Sequence, residues 1–205
     1  MNDSSTRCTV PPQKDNGKHA LILDAAIVEI AQSGYHRTTV AKIARRAGVA
    51  DGTIYLYFKG KEDVLVAVFD RAMDRFISQG ILEMGTDDSA VDRLRDIVRL
   101  HLEQVGEDHD LAVILQVELR HSLTFLDIFS RTRLRDYLEI IGGVIVQGQN
   151  EGVFRADLDP VVAARMVFGV LDQMTTDWVL SQRNTRLAGR ADETADFVVN
   201  ALRSS

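Results

Sequence analysis

The stretch from Thr38 to Phe58, TTVAKIARRAGVADGTIYLYF, constrains this 205-residue chain more than any other. Val40, Ile43, Ala44 and Ala47 fall at i, i+3, i+4 and i+7, one apolar stripe at helical period. Lys42, Arg45 and Arg46 lie off that stripe, so the short helix is oily on one side and cationic on the other. Thr38 and Thr39 stand where an N-cap hydroxyl accepts from the free amides of the first turn. Gly48 stops the helix, because the residue just past a helix end commonly takes positive φ. Val49 fills the turn, a second helix starts near Asp51, and Ile54 and Phe58 are its inward pair.

What remains on the second helix is Asp51, Gly52, Thr53, Tyr55, Leu56 and Tyr57. A solvated face rarely combines small residues at its start with two phenols, a leucine and few charges. A face pressed into a DNA major groove does. Gly52 and Thr53 let the helix N-terminus come close to phosphates or base edges, and tyrosine hydroxyls reach phosphate oxygens. The arrangement reads as a helix-turn-helix, the second helix in the groove and the first crossing the backbone with its cationic side. The competing reading is a helical hairpin whose aromatics pack inward on the rest of the chain.

Charge follows the same division. Residues 1–61 carry nine cationic and five acidic side chains, +4, whereas residues 62–205 carry fifteen and twenty-five, −10; every lysine lies at or before Lys61. A basic part suits phosphate, and an acidic part stays off it. The single cysteine, Cys8, excludes an internal disulfide and fits a cytoplasmic protein. No run of eighteen apolar residues exists, and the N-terminus lacks the apolar core of a secretory signal, so no membrane role is expected. Residues 1–17, polar with Pro11-Pro12, are expected to form a disordered tail.

The rest reads as helix after helix. Lys18 to Gly34 is amphipathic, with Leu23, Ile27 and Ile30 on one side, and backs the helix-turn-helix. From Lys61 a long helix runs to about Met84, burying Leu65, Val68, Phe69, Ala72 and Phe76. A break at residues 85–89 precedes a helix to Gly106. His101 and His109 are expected at the surface, since no third ligand stands at a spacing that would hold a metal. Leu111 to Leu119 alternates like a strand but is oily all round, and with no second strand to pair it is assigned to a buried helix. Leu123 to Asn150 forms one long helix or two joined, with Gly142-Gly143 making room for a ligand or a close helix. Asp159-Pro160 opens a helix carrying Val167, Val170, Leu171, Met174 and Trp178, with Phe168 beside them. The last helix, from about Ala191, carries Phe197, Val198, Ala201 and Leu202. The expected fold is all-α, about nine helices: a three-helix DNA-binding domain over residues 18–60 and a larger ligand-binding and dimerisation domain over 61–205.

The segment from Leu21 to Leu65, densest in AGVADGTIYLYFKGKED, resembles the DNA-binding domain of the TetR family of bacterial transcriptional regulators. Ala50 departs from the resemblance, standing where the family often has a Ser or Thr cap. Together, residues and resemblance assign DNA contacts to Thr38, Thr39, Lys42, Arg45, Gly52, Thr53, Tyr55, Tyr57 and Lys61. The resemblance implies a homodimer on a palindromic operator, and Val167, Val170, Leu171, Met174, Phe197, Val198 and Ala201 are the expected interface. HDLAVILQVELR and MVFGVLDQMTTDWVL are similar to a narrower group, the TetR-type repressors of fatty-acid degradation that respond to long-chain acyl-CoA. That similarity implies such an effector; an apolar interior suits an acyl chain, and arginine forks suit CoA phosphates. Ligand contacts are assigned to Arg120, Arg131, Trp178, Gln116, Gly142 and Phe168. The alternative is a TetR-type regulator of a drug or lipid efflux pump with a different apolar ligand. No nucleophile with a base, phosphate-cradling glycine loop or metal cluster marks an enzyme, and neither metal nor cofactor is expected.

Overall fold

A computed structural model describes residues 16–83, 88–117, 133–181 and 186–204. Within them the chain forms nine α-helices and a 3-10 turn. The helices are α1 (Asn16–Ser33), α2 (Val40–Ala47), α3 (Asp51–Tyr57), α4 (Lys61–Glu83), α5 (Ala90–Gly106), α6 (His109–Gln116), α7 (Arg133–Asn150), α8 (Pro160–Leu180) and α9 (Ala191–Leu202), with the 3-10 turn at Leu187–Arg190 before α9. Side-chain caps set several starts. Ser89 accepts from Asp92 N at 3.2 Å, Asp108 from Leu111 N at 3.0 Å, and Asp159 from Val161 N at 2.8 Å, with Pro160 at the position where its missing N–H costs nothing.

Helix α1 begins before Lys18, so Asn16 and Gly17 belong to it and not to a tail; the rest of the expected tail lies outside the described residues. Residues Leu111 to Gln116 are helical, with Ala112 and Ile114 fully buried, and the strand-like alternation there reflects burial on several sides. Leu119 lies outside the described residues, as does the start of the expected helix from Leu123; its described part is α7.

Helices α1–α3 pack around Ile22, Ile30, Ile43 and Ile54, all without solvent exposure. Helix α4 leaves this bundle and enters the body, spanning about 35 Å at the α-helical rise. It buries Leu65, Val68, Phe69, Ala72 and Phe76, the expected face. Arg71 pairs with Asp24 of α1 at 2.8 Å and Asp74 with Arg133 of α7 at 2.8 Å, so a single mid-helix turn of the rod is tied to the head on one side and to the body on the other. In the body α7 lies along α8, α9 against α5, and α6 sits between α1 and α8.

Close packing decides one glycine. A Cβ on Gly148 would fall 2.0 Å from Phe154 Cδ2, so only glycine lets that ring fold under α7. The segment then pairs with the chain end: Arg155 N donates to Leu202 O at 2.8 Å and Ser204 N to Val153 O at 3.1 Å.

One expectation fails outright. His101 is not a surface residue: it is 6% exposed, in the interior between α4, α5, α7 and α8. A lone histidine in a mixed sequence carries no mark of burial; the ring is sealed by Phe76 and Tyr137, which come from other helices.

Candidate DNA-reading helix and sensor interior

Helix α2 is capped by Thr39, whose hydroxyl accepts from Lys42 N at 3.3 Å. It ends at Gly48, whose φ of 67° is left-handed, and Val49 N closes the turn on Ala44 O at 3.0 Å. Ile43, Ala44, Ile54 and Phe58 face inward and hold α3 against α2. At the start of α3, Ala50 offers no side-chain cap, and Asp51 places a carboxylate in the first turn, where the helix dipole favours it. Asp51, Gly52, Tyr55 and Leu56 are exposed and Thr53 is half-exposed; Leu56 is 76% exposed, an open leucine beside an open tyrosine.

The cations differ in what they hold. Arg45 is exposed and, among the described residues, forms no ion pair, so it is the outward charge of α2. Arg46 instead donates to Glu29 at 2.9 Å and Gln32 at 3.1 Å, clamping α2 to α1 and holding the Glu29 carboxyl below its usual range. Lys42 is half-buried and its Nζ donates to Arg37 O at 3.0 Å.

Of the expected DNA contacts, Thr38 is withdrawn from the surface, and Lys61 and Tyr57 are half-buried. Thr38 is 1% exposed, and its hydroxyl donates to the carbonyls of Glu29 and Gly34 at 3.2 and 3.0 Å; it pins the α1–α2 link. Lys61 turns inward: Nζ donates to Tyr35 O at 2.6 Å and Thr38 O at 2.9 Å and lies 4.1 Å from the centre of the buried Tyr35 ring. Tyr57 is half-buried, its ring edge-on to His19 at 6.0 Å. Thr39, Arg45, Gly52, Thr53 and Tyr55 remain on or near the outer face. Leu56, which the sequence placed on this outward face without naming it a contact, stands open beside Tyr55.

In the body, His101 of α5 places Nδ1 3.1 Å from the Tyr137 hydroxyl of α7. Phe76 stacks on His101 with centroids 5.0 Å apart, and Phe168 of α8 meets it edge-on at 6.3 Å. Burial pushes the imidazole down to about 4, with the Asp172 charge pulling the other way, and burial pushes the Tyr137 phenol up. The pair is therefore neutral at ordinary pH. Nearby, Gln116 of α6 donates to Asp172 at 3.2 Å and accepts from Thr176 at 2.8 Å, tying α6 to α8.

Of the expected ligand contacts, Gln116 and Phe168 face this interior. Trp178 lies at the α8 end, edge-on to His109 at 5.2 Å. Gly142 faces α8; a Cβ there would meet Pro160 O and Ala164 Cβ at 3.8 and 4.0 Å, ordinary contact distances, so the helix packing does not demand a glycine. Arg120 and Arg131 lie outside the described residues. Among the described residues no group of His, Cys, Asp or Glu could hold a metal, and no helix is long and apolar enough to cross a membrane.

Residues 22–68 match the bacterial regulatory proteins of the tetR family, and residues 69–201 match the YsiA-like protein C-terminal region. The fatty acid metabolism regulator protein of Bacillus subtilis is 36% identical over 90% of this chain and 95% of its own length. The crystal structure of the regulator FadR from Bacillus subtilis in complex with stearoyl-CoA has a TM-score of 0.84, at 35% identity, covering 90% of this chain and all of that one. The fatty acid degradation regulator FadR from Bacillus halodurans has a TM-score of 0.85, at 36% identity, covering 96% of this chain and all of that one. The chain belongs to the TetR family. It is a DNA-binding transcriptional regulator, and its relatives regulate transcription and are not enzymes.

For a TetR-family regulator the exposed face of α8 and α9 matters next. Val167, Leu171 and Val198, expected at an interface, are buried inside the protomer, because each sits on the inner side of its helix. The outward stripe of α8 is Val162, Met166 and Gly169, with half-buried Val170 and Met174; Met166 and Phe197 of α9 are each 63% exposed. Ala201 is also exposed. Between the two helices runs a groove of about 610 Å³ whose lining mixes apolar Val170, Met174, Trp178 and Phe197 with charged Asp177, Arg186, Arg190 and Glu193.

Proposed function

We propose that this protein represses fatty-acid degradation genes, binding a palindromic operator as a homodimer and leaving it when the body takes up a long-chain acyl-CoA. The observation that carries this reading is near-full-length similarity, at 35%, to a regulator whose structure holds stearoyl-CoA. The composition of the body supports it, with a helical interior rich in Leu, Val, Ile and Phe to take an acyl chain. For the CoA phosphates the candidates are Arg120 and Arg131. Gln116 and Phe168 are the candidates on the acyl side.

Residues 18–60 read DNA in this scheme and residues 61–205 sense and dimerise. Arg45, Thr39, Gly52, Thr53, Tyr55 and Leu56 meet the duplex, the cation at phosphate and the small and apolar groups at base edges, where a Thr or Leu can touch a thymine methyl. One head covers few base pairs, so two heads related by two-fold symmetry are needed for useful affinity. The groove between α8 and α9, with Met166 and Phe197 open beside it, is the face that takes the second copy. The place of action is the cytoplasm, on the nucleoid while the operator is held. Effector binding favours a head spacing that no longer matches both half-sites, a coupling of about 1–3 kcal/mol.

Palmitoyl-CoA titrated into the protein–operator complex in a mobility-shift assay is expected to release the DNA, and palmitate at the same concentration to do so far less. Retention of the complex at saturating palmitoyl-CoA would remove the effector assignment and leave DNA binding standing.

A further inference from the structure

Four helices meet through rings near the body end of α4. Phe76 of α4 stacks on His101 of α5, His101 pairs with Tyr137 of α7, and Phe168 of α8 stands edge-on to both at 6.3 Å. Beside the stack is a small, partly open void of about 10 Å³, lined by Phe76, Ile97, Leu100, His101, Tyr137 and Ile140 among others. That space is about one water molecule. It is too small for another methylene unless a ring moves.

A buried hydrogen-bonded His–Tyr pair is a costly way to fill a core, since a well-packed apolar pair of similar shape is nearly neutral or better for stability. What the polar pair adds is a fixed register between α5 and α7 and a patch that an alkyl end gains nothing by touching. Phe168 joins this pair to the side of α8 that also carries Asp172 and Thr176, the residues holding Gln116. The stack therefore joins α4, the helix that carries the DNA-reading head, to α5, α7 and α8 of the body.

We infer that Phe76, His101 and Tyr137 form the stop at the inner end of the effector chamber and set the longest acyl chain that releases DNA. This rests on the acyl-CoA reading above. A chain that just reaches the stop packs against the Phe76 face and moves α4 through it; a longer one must displace the ring. Each methylene accepted in a dry apolar site is worth about fourfold in affinity, so room for two more shifts the balance by about tenfold or more.

The test is a DNA-release titration of the full-length protein with saturated acyl-CoAs of stepwise length, from lauroyl to behenoyl. Wild type is compared with Phe76→Ala, which opens the stop, and with Ile97→Val, which removes one methyl from the void lining and perturbs folding least. The expected result is a shift of the optimum to longer chains. In Phe76→Ala the potency of a chain two carbons above the wild-type optimum should rise about tenfold relative to that optimum, and in Ile97→Val by a smaller factor in the same direction. Ile97→Val decides the matter if Phe76→Ala fails to fold. A wild type released by acyl-CoA whose length profile is shared by every folded variant overturns the stop and leaves the effector intact. A wild type released by no acyl-CoA overturns both.

Discussion

His101 stays neutral because its ring is sealed between Phe76 and Tyr137, and that has a consequence for stability. Its folded-state pKa of about 4 lies below the usual 6.5, so the unfolded chain takes up the proton first as pH falls. The contribution is complete above pH 6.5 and is lost as pH drops toward 4, on the order of 3 kcal/mol in all. The unfolding free energy of wild type minus that of His101→Phe should therefore shrink across this window in denaturant melts. A difference that stays level from pH 7 to pH 4 would mean the ring is not buried as described.

At the scale of the element, the α2–α4 joint separates two kinds of cation that look alike as letters. Arg45 projects outward, and each phosphate contact it makes adds about 0.9 to the slope of log affinity against log salt. Lys61 is engaged with the carbonyls of Tyr35 and Thr38, where it fixes the start of α4 beneath the α1–α2 link. Fluorescence anisotropy on operator DNA over a salt series should show Arg45→Ala lowering the slope by about one unit per head. Lys61→Met should weaken binding at every salt concentration with the slope unchanged. Equal loss of slope in the two variants would put Lys61 at a phosphate and contradict the joint. Gly48 and the Thr39 cap could be read before any coordinates, because left-handed φ and N-capping are local demands. The partners of Thr38 and Lys61 could not, being set by residues up to 26 positions away.

For the molecule as a whole, the proposed two-copy arrangement rests on the outward faces of α8 and α9. Met166→Asp combined with Phe197→Asp places charge where apolar surface has to be covered and leaves the protomer core alone, since both side chains are already exposed. Sedimentation should find this protein monomeric and still helical. Its operator affinity should drop on the order of a thousandfold, toward the level of nonspecific binding. A double variant that stays dimeric would move the interface off these helices.

Periodicity, caps and the turn glycine determined the helices, their order and the helix-turn-helix, because each of these is written within a few residues of chain. The oily run at Leu111 to Gln116 was resolved as helix by the same local logic, as no second strand existed to pair with it. Tertiary structure alone decided which side of each helix faces out. It moved Val167, Leu171 and Val198 into the protomer, withdrew Thr38 from the surface, turned the Lys61 ammonium onto two carbonyls, and joined His101 to Tyr137 across 36 residues of sequence. A repeat of 3.6 residues says that a helix has an apolar side; whether a neighbouring helix, a ligand or a second chain covers it depends on distances that only the folded packing sets.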